Sequence, residues 1–170
     1  WAVKLRTRLV LLGAVMPTML LVVAILVAGL VFERVMLAEH DRALLGQGAV
    51  EAVSLFDRAA APHLHLSESP LEREIGEHPP EGALYGPDGE IVTTYPEDAD
   101  VPARVHPGEL RYEPALHTET TASGRRRVLR LRVDDPRGRP FALWLGASLE
   151  RHDREMEVYW RISALVLAVV

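Results

Sequence analysis

The sequence has no cysteine, and its only lysine is Lys4. The absence of cysteine excludes a disulfide framework, a cysteine-ligated zinc site, an iron–sulfur cluster and a thiol nucleophile. Positive charge is not in excess either, because 19 Lys and Arg residues stand against 24 Asp and Glu residues, a net charge of −5. A nucleic-acid-binding protein needs a basic surface, so we expect no nucleic-acid partner. The motifs GxSxG, HExxH and GxxxxGK[ST] are also missing, and we expect no catalytic residue and no cofactor in this chain.

Hydrophobic residues are concentrated near the start of the chain, where residues 9–32 contain no ionisable side chain. As a helix this stretch is roughly 36 Å long, enough to cross a hydrocarbon core of about 30 Å. A cleaved signal peptide is the alternative, but its apolar segment is typically about 7–15 residues long. The sequence therefore predicts an uncleaved transmembrane helix over residues 9–32, with the lipid bilayer as a partner.

Charged residues around this stretch predict its orientation. Lys4, Arg6 and Arg8 precede it without an acidic neighbour, whereas a mixture of acidic and basic residues follows. Positively charged flanks remain in the cytoplasm. We expect residues 1–8 to be cytoplasmic and residues 33–157 to be extracytoplasmic.

A second apolar block closes the chain at residues 158–170. Tyr159 and Trp160 are suited to a membrane interface, and the Arg161 side chain can extend back to it. Nine residues follow Arg161, whereas a full span needs about 20. The block predicts the truncated start of a second transmembrane helix, in a piece of a longer protein that continues into the cytoplasm.

The segment between the two blocks is acidic and carries two predicted helices. Residues 33–157 hold 15 basic and 24 acidic side chains, a net charge of −9. Apolar residues at spacings of three and four predict a helix from Glu33 to about Ala61, and Ser148 is a suitable cap for a second. Both helices carry heptad-like stripes, and that of the first helix can face a second subunit or the domain's own sheet. We expect a homodimer whose two-fold axis lies close to Leu45, Ala49, Ala52, Phe56, Leu149 and Met156.

Between these helices the hydrophobic period changes to two, which predicts strands. We expect strands at residues 83–85, 90–95, 110–121, 126–134 and 140–146. In the clearest of them Leu129, Leu131 and Val133 share one face and Arg130 and Arg132 the other. The predicted fold class is α+β: a transmembrane helix, a long N-terminal helix, a small antiparallel sheet, and a C-terminal helix that runs into the truncated second span.

Four segments carry a resemblance to a known family. They are a helix reading ALLGQGAVEAVSLF, a hairpin reading ALYGPDGEIV, and the runs GRRRVLRLRVDD and GRPFALWLGASLERHDREM. With the two apolar blocks, they resemble the input half of bacterial two-component sensor histidine kinases. The likeness is to the small PAS-like extracytoplasmic regions of that family, including its heavy-metal-sensor-like branch.

The resemblance implies a PAS-like sheet outside the bacterial inner membrane. It implies a stimulus, either a small ligand or a periplasmic protein, that displaces a helix and regulates autophosphorylation and phosphorelay inside the cell. ATP, Mg and the response regulator would then engage a kinase region after Val170, and none of the seven histidines here would be the phosphoacceptor. A chemoreceptor, a diguanylate cyclase and a membrane-anchored partner-binding protein are alternatives with the same topology.

Two clusters are candidate sites. His63 and His65, with Glu68 and Glu72 nearby, offer the imidazole and carboxylate ligands that suit zinc or copper; the alternative is a solvated polar loop, and we expect no metal. Arg125, Arg126 and Arg127 could contact an anionic ligand. Alternatively, they neutralise the acidic excess at a hairpin end or face anionic lipid.

Overall fold

The computed structural model describes residues 10–57, 62–66 and 80–169. The predicted α+β class is confirmed, since a long apolar helix is followed by a five-stranded antiparallel sheet and a C-terminal helix. The predicted cytoplasmic segment, residues 1–8, lies outside the described residues. Glu68 and Glu72 do as well.

The contacts of the chain divide it into two compact units. One unit joins residues up to Ala38 to those from Arg151 onward, so it pairs the apolar stretch with the C-terminal helix. The other unit, Glu39–Glu150, contains the sheet and is called the sheet domain below. The division follows the composition, because the first unit contains the apolar blocks and the second contains the strands.

The first helix, α1, spans Met16–Ser54 after a π-helical turn at Leu11–Val15. The wider turn lies directly before Pro17, which lacks the N–H that a regular helix needs. Helix α1 continues without a break from the apolar stretch into the sheet domain. It ends at Ser54, seven residues before the predicted end at Ala61. The Ser54 hydroxyl donates to the Val50 carbonyl at 3.0 Å and so competes with the backbone hydrogen bonds of the helix.

The expectation of two membrane helices holds for one of them only. Among the described residues, one helix, Leu12–Ser54, is long and apolar enough to cross a membrane. The C-terminal helix, α2, spans Glu150–Val169. Its charged side chains extend to Arg161, so the described apolar part is too short for a span, and the prediction of a second span is corrected on this point.

The sheet contains five strands: β1 (Glu81–Tyr85), β2 (Ile91–Tyr95), β3 (Ala115–Thr121), β4 (Gly124–Asp134) and β5 (Pro140–Ser148). Their order is β2-β1-β5-β4-β3, and every neighbouring pair is antiparallel. The last strand along the chain therefore lies in the centre of the sheet. The Ser148 hydroxyl accepts from the Glu150 N–H at 3.2 Å, so the predicted cap joins this central strand directly to α2.

One face of the sheet, called the helix face, packs against α1 and the segment 62–66. Its buried core contains Leu44 from the helix, Leu66 from the segment, and Leu129, Leu143 and Leu145 from the two central strands. Leu131 and Val133 join this cluster, as the alternation of β4 predicts.

The opposite face, called the loop face, is covered by the connection between β2 and β3. Trp144, Tyr85 and Val128 are completely buried there, and Val105 of the connection packs on them. The Tyr85 hydroxyl donates to the Pro102 carbonyl at 2.6 Å and fastens the connection to the sheet. The domain thus has a core on each face of one sheet.

The helical stripe predicted for dimer contact is one residue away from the face that α1 turns toward the sheet. Leu44, Gly48, Glu51 and Leu55 are buried, whereas Leu45 and Ala49 are exposed. Of the other members of the stripe, Ala52, Phe56 and Met156 are half-buried, and Leu149 is completely buried within the chain. Leu149 is therefore unavailable to a second subunit.

Candidate functional site

The segment 62–66 brings the two predicted metal-binding histidines to the end of α1. Leu64 and Leu66 point into the helix-face core. Because side chains alternate along an extended segment, His63 and His65 point the other way and share one side. The His63 N–H donates to the Leu55 carbonyl at 3.2 Å, which fastens the segment to the last turn of the helix.

A third side chain, Asp57, joins the two histidines. The Nε2 atoms of His63 and His65 are 2.9 Å apart, with ring centroids at 4.3 Å. The Asp57 carboxylate lies 3.5 Å from each, through Oδ1 to His63 and through Oδ2 to His65. One ligating atom from each of the three residues lies within 4.8 Å of the others. We call these three residues the His–Asp cluster.

Glu51 supports the cluster from inside the domain. It is 3% exposed, and its Oε2 accepts from the backbone N–H of His65 at 2.9 Å. The same oxygen lies 3.9 Å from His65 Nδ1. Neither Glu51 nor Asp57 is predicted from the sequence, since spacings of six residues from Asp57 to His63 and of 14 from Glu51 to His65 match no short ligand motif.

The arginines predicted to contact an anion engage carboxylates of the chain. Arg126 donates to Glu119 at 3.1 Å and to Glu81 at 3.2 Å, and its guanidinium lies 4.8 Å from the centroid of the Trp144 ring. Arg127 forms a bidentate pair with Asp41 of α1, at 2.6 and 3.0 Å. Arg125 is exposed at the start of β4. Contact with an external anion stays a prediction, while the internal pairs account for part of the acidic excess.

Burial and the charge of Arg126 shift the pKa values of the neighbouring carboxylates in opposite directions. Burial raises the pKa of Glu119, but hydrogen bonds from His117 and Arg126 and the charges of Arg126 and Arg130 outweigh it, so the net pKa is lowered. For Glu81, burial dominates over the attraction of Arg126 and leaves the pKa raised. Burial also raises the pKa of the Tyr85 hydroxyl to about 12.

The loop face also holds buried donors without acceptors. Within the described part of the chain, Trp144 Nε1 and Arg130 Nε have no hydrogen-bond partner. Such groups are uncommon in folded proteins, because each costs about 1–3 kcal/mol when left unpaired. They lie on the same face as the Arg126 network.

The apolar stretch of α1 forms a different kind of surface. Only 6% of its most apolar window is buried within the chain. The side chains exposed there include Leu12 at 67%, Met19 at 64% and Leu20 at 61%. An exposed apolar surface of this extent marks contact with a membrane or with another protein.

Helix α2 packs on the apolar stretch through two aromatic residues. The Tyr159 hydroxyl donates to the Ile25 carbonyl at 2.6 Å, and its ring stacks on Phe32 with centroids 6.1 Å apart. Gly29 permits this approach, since a Cβ atom there would lie 2.8 Å from Trp160 and 2.9 Å from Tyr159. The predicted pair of interfacial aromatics therefore contacts the end of the uncharged stretch, beside Phe32.

Comparison with models of protein families, with curated proteins and with solved structures found no match to this chain.

The Arg126 network generates a prediction about stability and pH. Replacing Arg126 by Leu removes the guanidinium that Glu81 and Glu119 share, while Glu119 keeps Arg130 and His117, and should lower the free energy of unfolding by about 2 kcal/mol at pH 7. Because the lowered pKa of Glu119 stabilises the native protein only above the unfolded value near 4.5, the loss should shrink as the pH falls below that value. Denaturant titration at pH 7 and pH 4 measures it.

Arg104 provides the matched control. It pairs with Glu90, and both side chains are 55% exposed, so Arg104→Leu should cost less than about 1 kcal/mol at either pH. Equal losses for the two variants, or a loss at Arg126 that is independent of pH, would contradict the buried network.

Proposed function

We propose that the chain is the membrane-spanning input module of a bacterial two-component sensor histidine kinase. An extracytoplasmic stimulus received by the sheet domain displaces α2 relative to α1 and thereby regulates autophosphorylation in the cytoplasm. The observation that carries the proposal is the continuity of α1, one helix of 39 residues that runs from the apolar stretch into the sheet domain. The resemblance of the helix, hairpin and strand motifs to this family supports the choice of output.

The proposed location in a membrane is supported by the apolar surface of α1. A helix with an apolar, unburied surface is stable where lipid replaces water, and the basic residues before it favour a cytoplasmic N-terminus. The sheet domain then lies outside the bacterial inner membrane. A PAS-like fold is supported by a single antiparallel sheet of five strands with a helix packed on one face.

The connection from the sheet to α2 is one residue long. Strand β5 lies in the centre of the sheet, and only Leu149 separates its end from α2. Leu149 is completely buried, and its N–H donates to the Arg125 carbonyl at 2.9 Å. We therefore expect a displacement of the central strand to displace α2 as well. Helix shifts in signalling proteins are typically about 1–2 Å.

The contact at Gly29 allows a direct test. The chain is fused in membranes to the cytoplasmic half of a sensor kinase whose autophosphorylation can be measured. Gly29→Ala adds a Cβ that must displace the rings of Tyr159 and Trp160, so basal autophosphorylation should change at least about threefold if the two helices carry the signal.

Gly13→Ala is the matched control, because nothing lies within 4 Å of a Cβ at Gly13, and its output should equal that of the parent fusion. If Gly29→Ala leaves the output unchanged at equal expression, the proposed transmission route is wrong.

We also propose that the module acts as a homodimer through the outward side of α1. Residues 43–50 carry no charge, and Leu45, Val50 and Val53 are 37%, 65% and 85% exposed. An exposed helix surface without charge can meet a second copy of itself without placing like charges in contact, as a two-fold interface requires.

A cysteine at Ala49 should therefore cross-link two subunits in intact cells when a membrane-impermeant bis-maleimide is added. Ala103→Cys is the control, since this exposed residue belongs to the connection that covers the loop face, on the other side of the sheet from α1. It should react with an impermeant maleimide, as an extracytoplasmic position requires, without forming a dimer. Monomeric Ala49→Cys would contradict the dimer, and an unreactive Ala103→Cys would contradict the orientation.

A further inference from the structure

We propose that Asp57, His63 and His65 form a binding site for a divalent transition metal of the zinc class, with Glu51 as a positioning residue. The proposal concerns binding and does not depend on the proposed function. It goes against our expectation from the sequence that the histidine pair belongs to a solvated loop.

The spacing of the ligating atoms fits one metal ion. Zinc bonds to imidazole nitrogen and carboxylate oxygen are about 2.0–2.2 Å long, so neighbouring ligands of a tetrahedral ion lie about 3.3 Å apart. The corresponding separations in the His–Asp cluster are 2.9 Å between the two Nε2 atoms, 3.5 Å from His63 Nε2 to Asp57 Oδ1 and 3.5 Å from His65 Nε2 to Asp57 Oδ2. With one ligand atom from each residue, the three atoms lie within 4.8 Å of one another. Binding a tetrahedral ion therefore requires the Asp57 carboxylate to turn one oxygen toward both nitrogens.

The support behind His65 has the form found at metal centres. A metal-bound histidine usually donates its second ring nitrogen to a carboxylate or carbonyl, which fixes its tautomer. His65 Nδ1 is buried and has no hydrogen-bond partner among the described residues, while the Glu51 carboxylate is 3.9 Å away. A movement of about 1 Å would complete this hydrogen bond. Glu51 already holds the His65 backbone N–H, so it orients the ligand without touching the metal.

Exposure and ligand chemistry define which ion fits. The Asp57 side chain is 52% exposed and those of His63 and His65 are 21% and 19% exposed, so an ion can enter from solvent. Two imidazoles and one carboxylate suit zinc and its neighbours, whereas calcium and magnesium prefer sites built of oxygen only. Three protein ligands leave a fourth position for water.

The site would also link two parts of the sheet domain. Asp57 lies three residues beyond the end of α1, and the histidines belong to the segment 62–66. A bound ion would clamp this segment to the helix end and stabilise the domain as any ligand specific for the native state does.

The test is zinc binding by the full chain in detergent or nanodiscs, with a chromophoric chelator as competitor. The expected result is one zinc per chain, with affinity reduced at least about 100-fold in His63→Ala and in His65→Ala. Glu51→Gln should reduce the affinity about 10- to 100-fold. His106→Ala, which replaces an exposed histidine outside the cluster, should bind like the parent chain.

Two further measurements separate binding from folding. Cobalt should give the visible absorption of a tetrahedral site in the parent chain, with a shifted spectrum in Glu51→Gln. Zinc should also move the ¹⁵N resonances of only two histidine Nε2 atoms, which requires no variant. Binding that is absent, or unchanged when His63 and His65 are replaced together, would overturn the proposal.

Discussion

The structure depends on the exposed apolar surface of α1, which water solvates poorly. Residues 10–32 form a helix without an ionisable side chain, and its surface is almost entirely unburied within the chain. Burial of apolar surface contributes about 25 cal/mol per Å², and in water this helix would gain almost none of it, because its side chains stay nearly as exposed as in the unfolded chain. Placing the helix in lipid would supply that burial and leave the polar sheet domain in water. Helix α1 continues from this apolar stretch into the residues of the sheet domain as one element, Met16–Ser54.

Within the sheet domain, charge and burial are organised around β4. Leu129, Leu131 and Val133 lie on its helix face, and the arginines at the start of the strand form ion pairs on both faces. Arg127 connects the strand to α1 through Asp41, whereas Arg126 connects it to Glu81 and Glu119 on the loop face. Removing one member of such a network leaves a buried charge behind, which is why these pairs fix the strand more firmly than surface ion pairs would.

The sequence predicted most of the fold, because its strongest signals are local. The uncharged stretch, the alternation of β4 and the Ser148 cap each depend on neighbours within a few residues. What it missed depends on long-range contact. Asp57 and Glu51 join His63 and His65 only once the segment 62–66 has packed on the end of α1. The stripe predicted for dimer contact stays a prediction: Leu45 and Ala49 are exposed, because the neighbouring Leu44 and Gly48 fit against Leu129 of the sheet.

The central claim, that the apolar part of α1 lies in lipid, can be measured directly because the chain contains no cysteine of its own. Spin labels on single cysteines at Met16, Met19, Val23, Leu26 and Leu30, all exposed positions, would report collisions with oxygen, which concentrates in lipid, and with a water-soluble nickel complex. In nanodiscs, the account predicts an oxygen-to-nickel ratio that is highest at Met19 and Val23, on either side of the centre of the span, and falls toward Leu30. A nickel complex that reaches all five labels equally would contradict it.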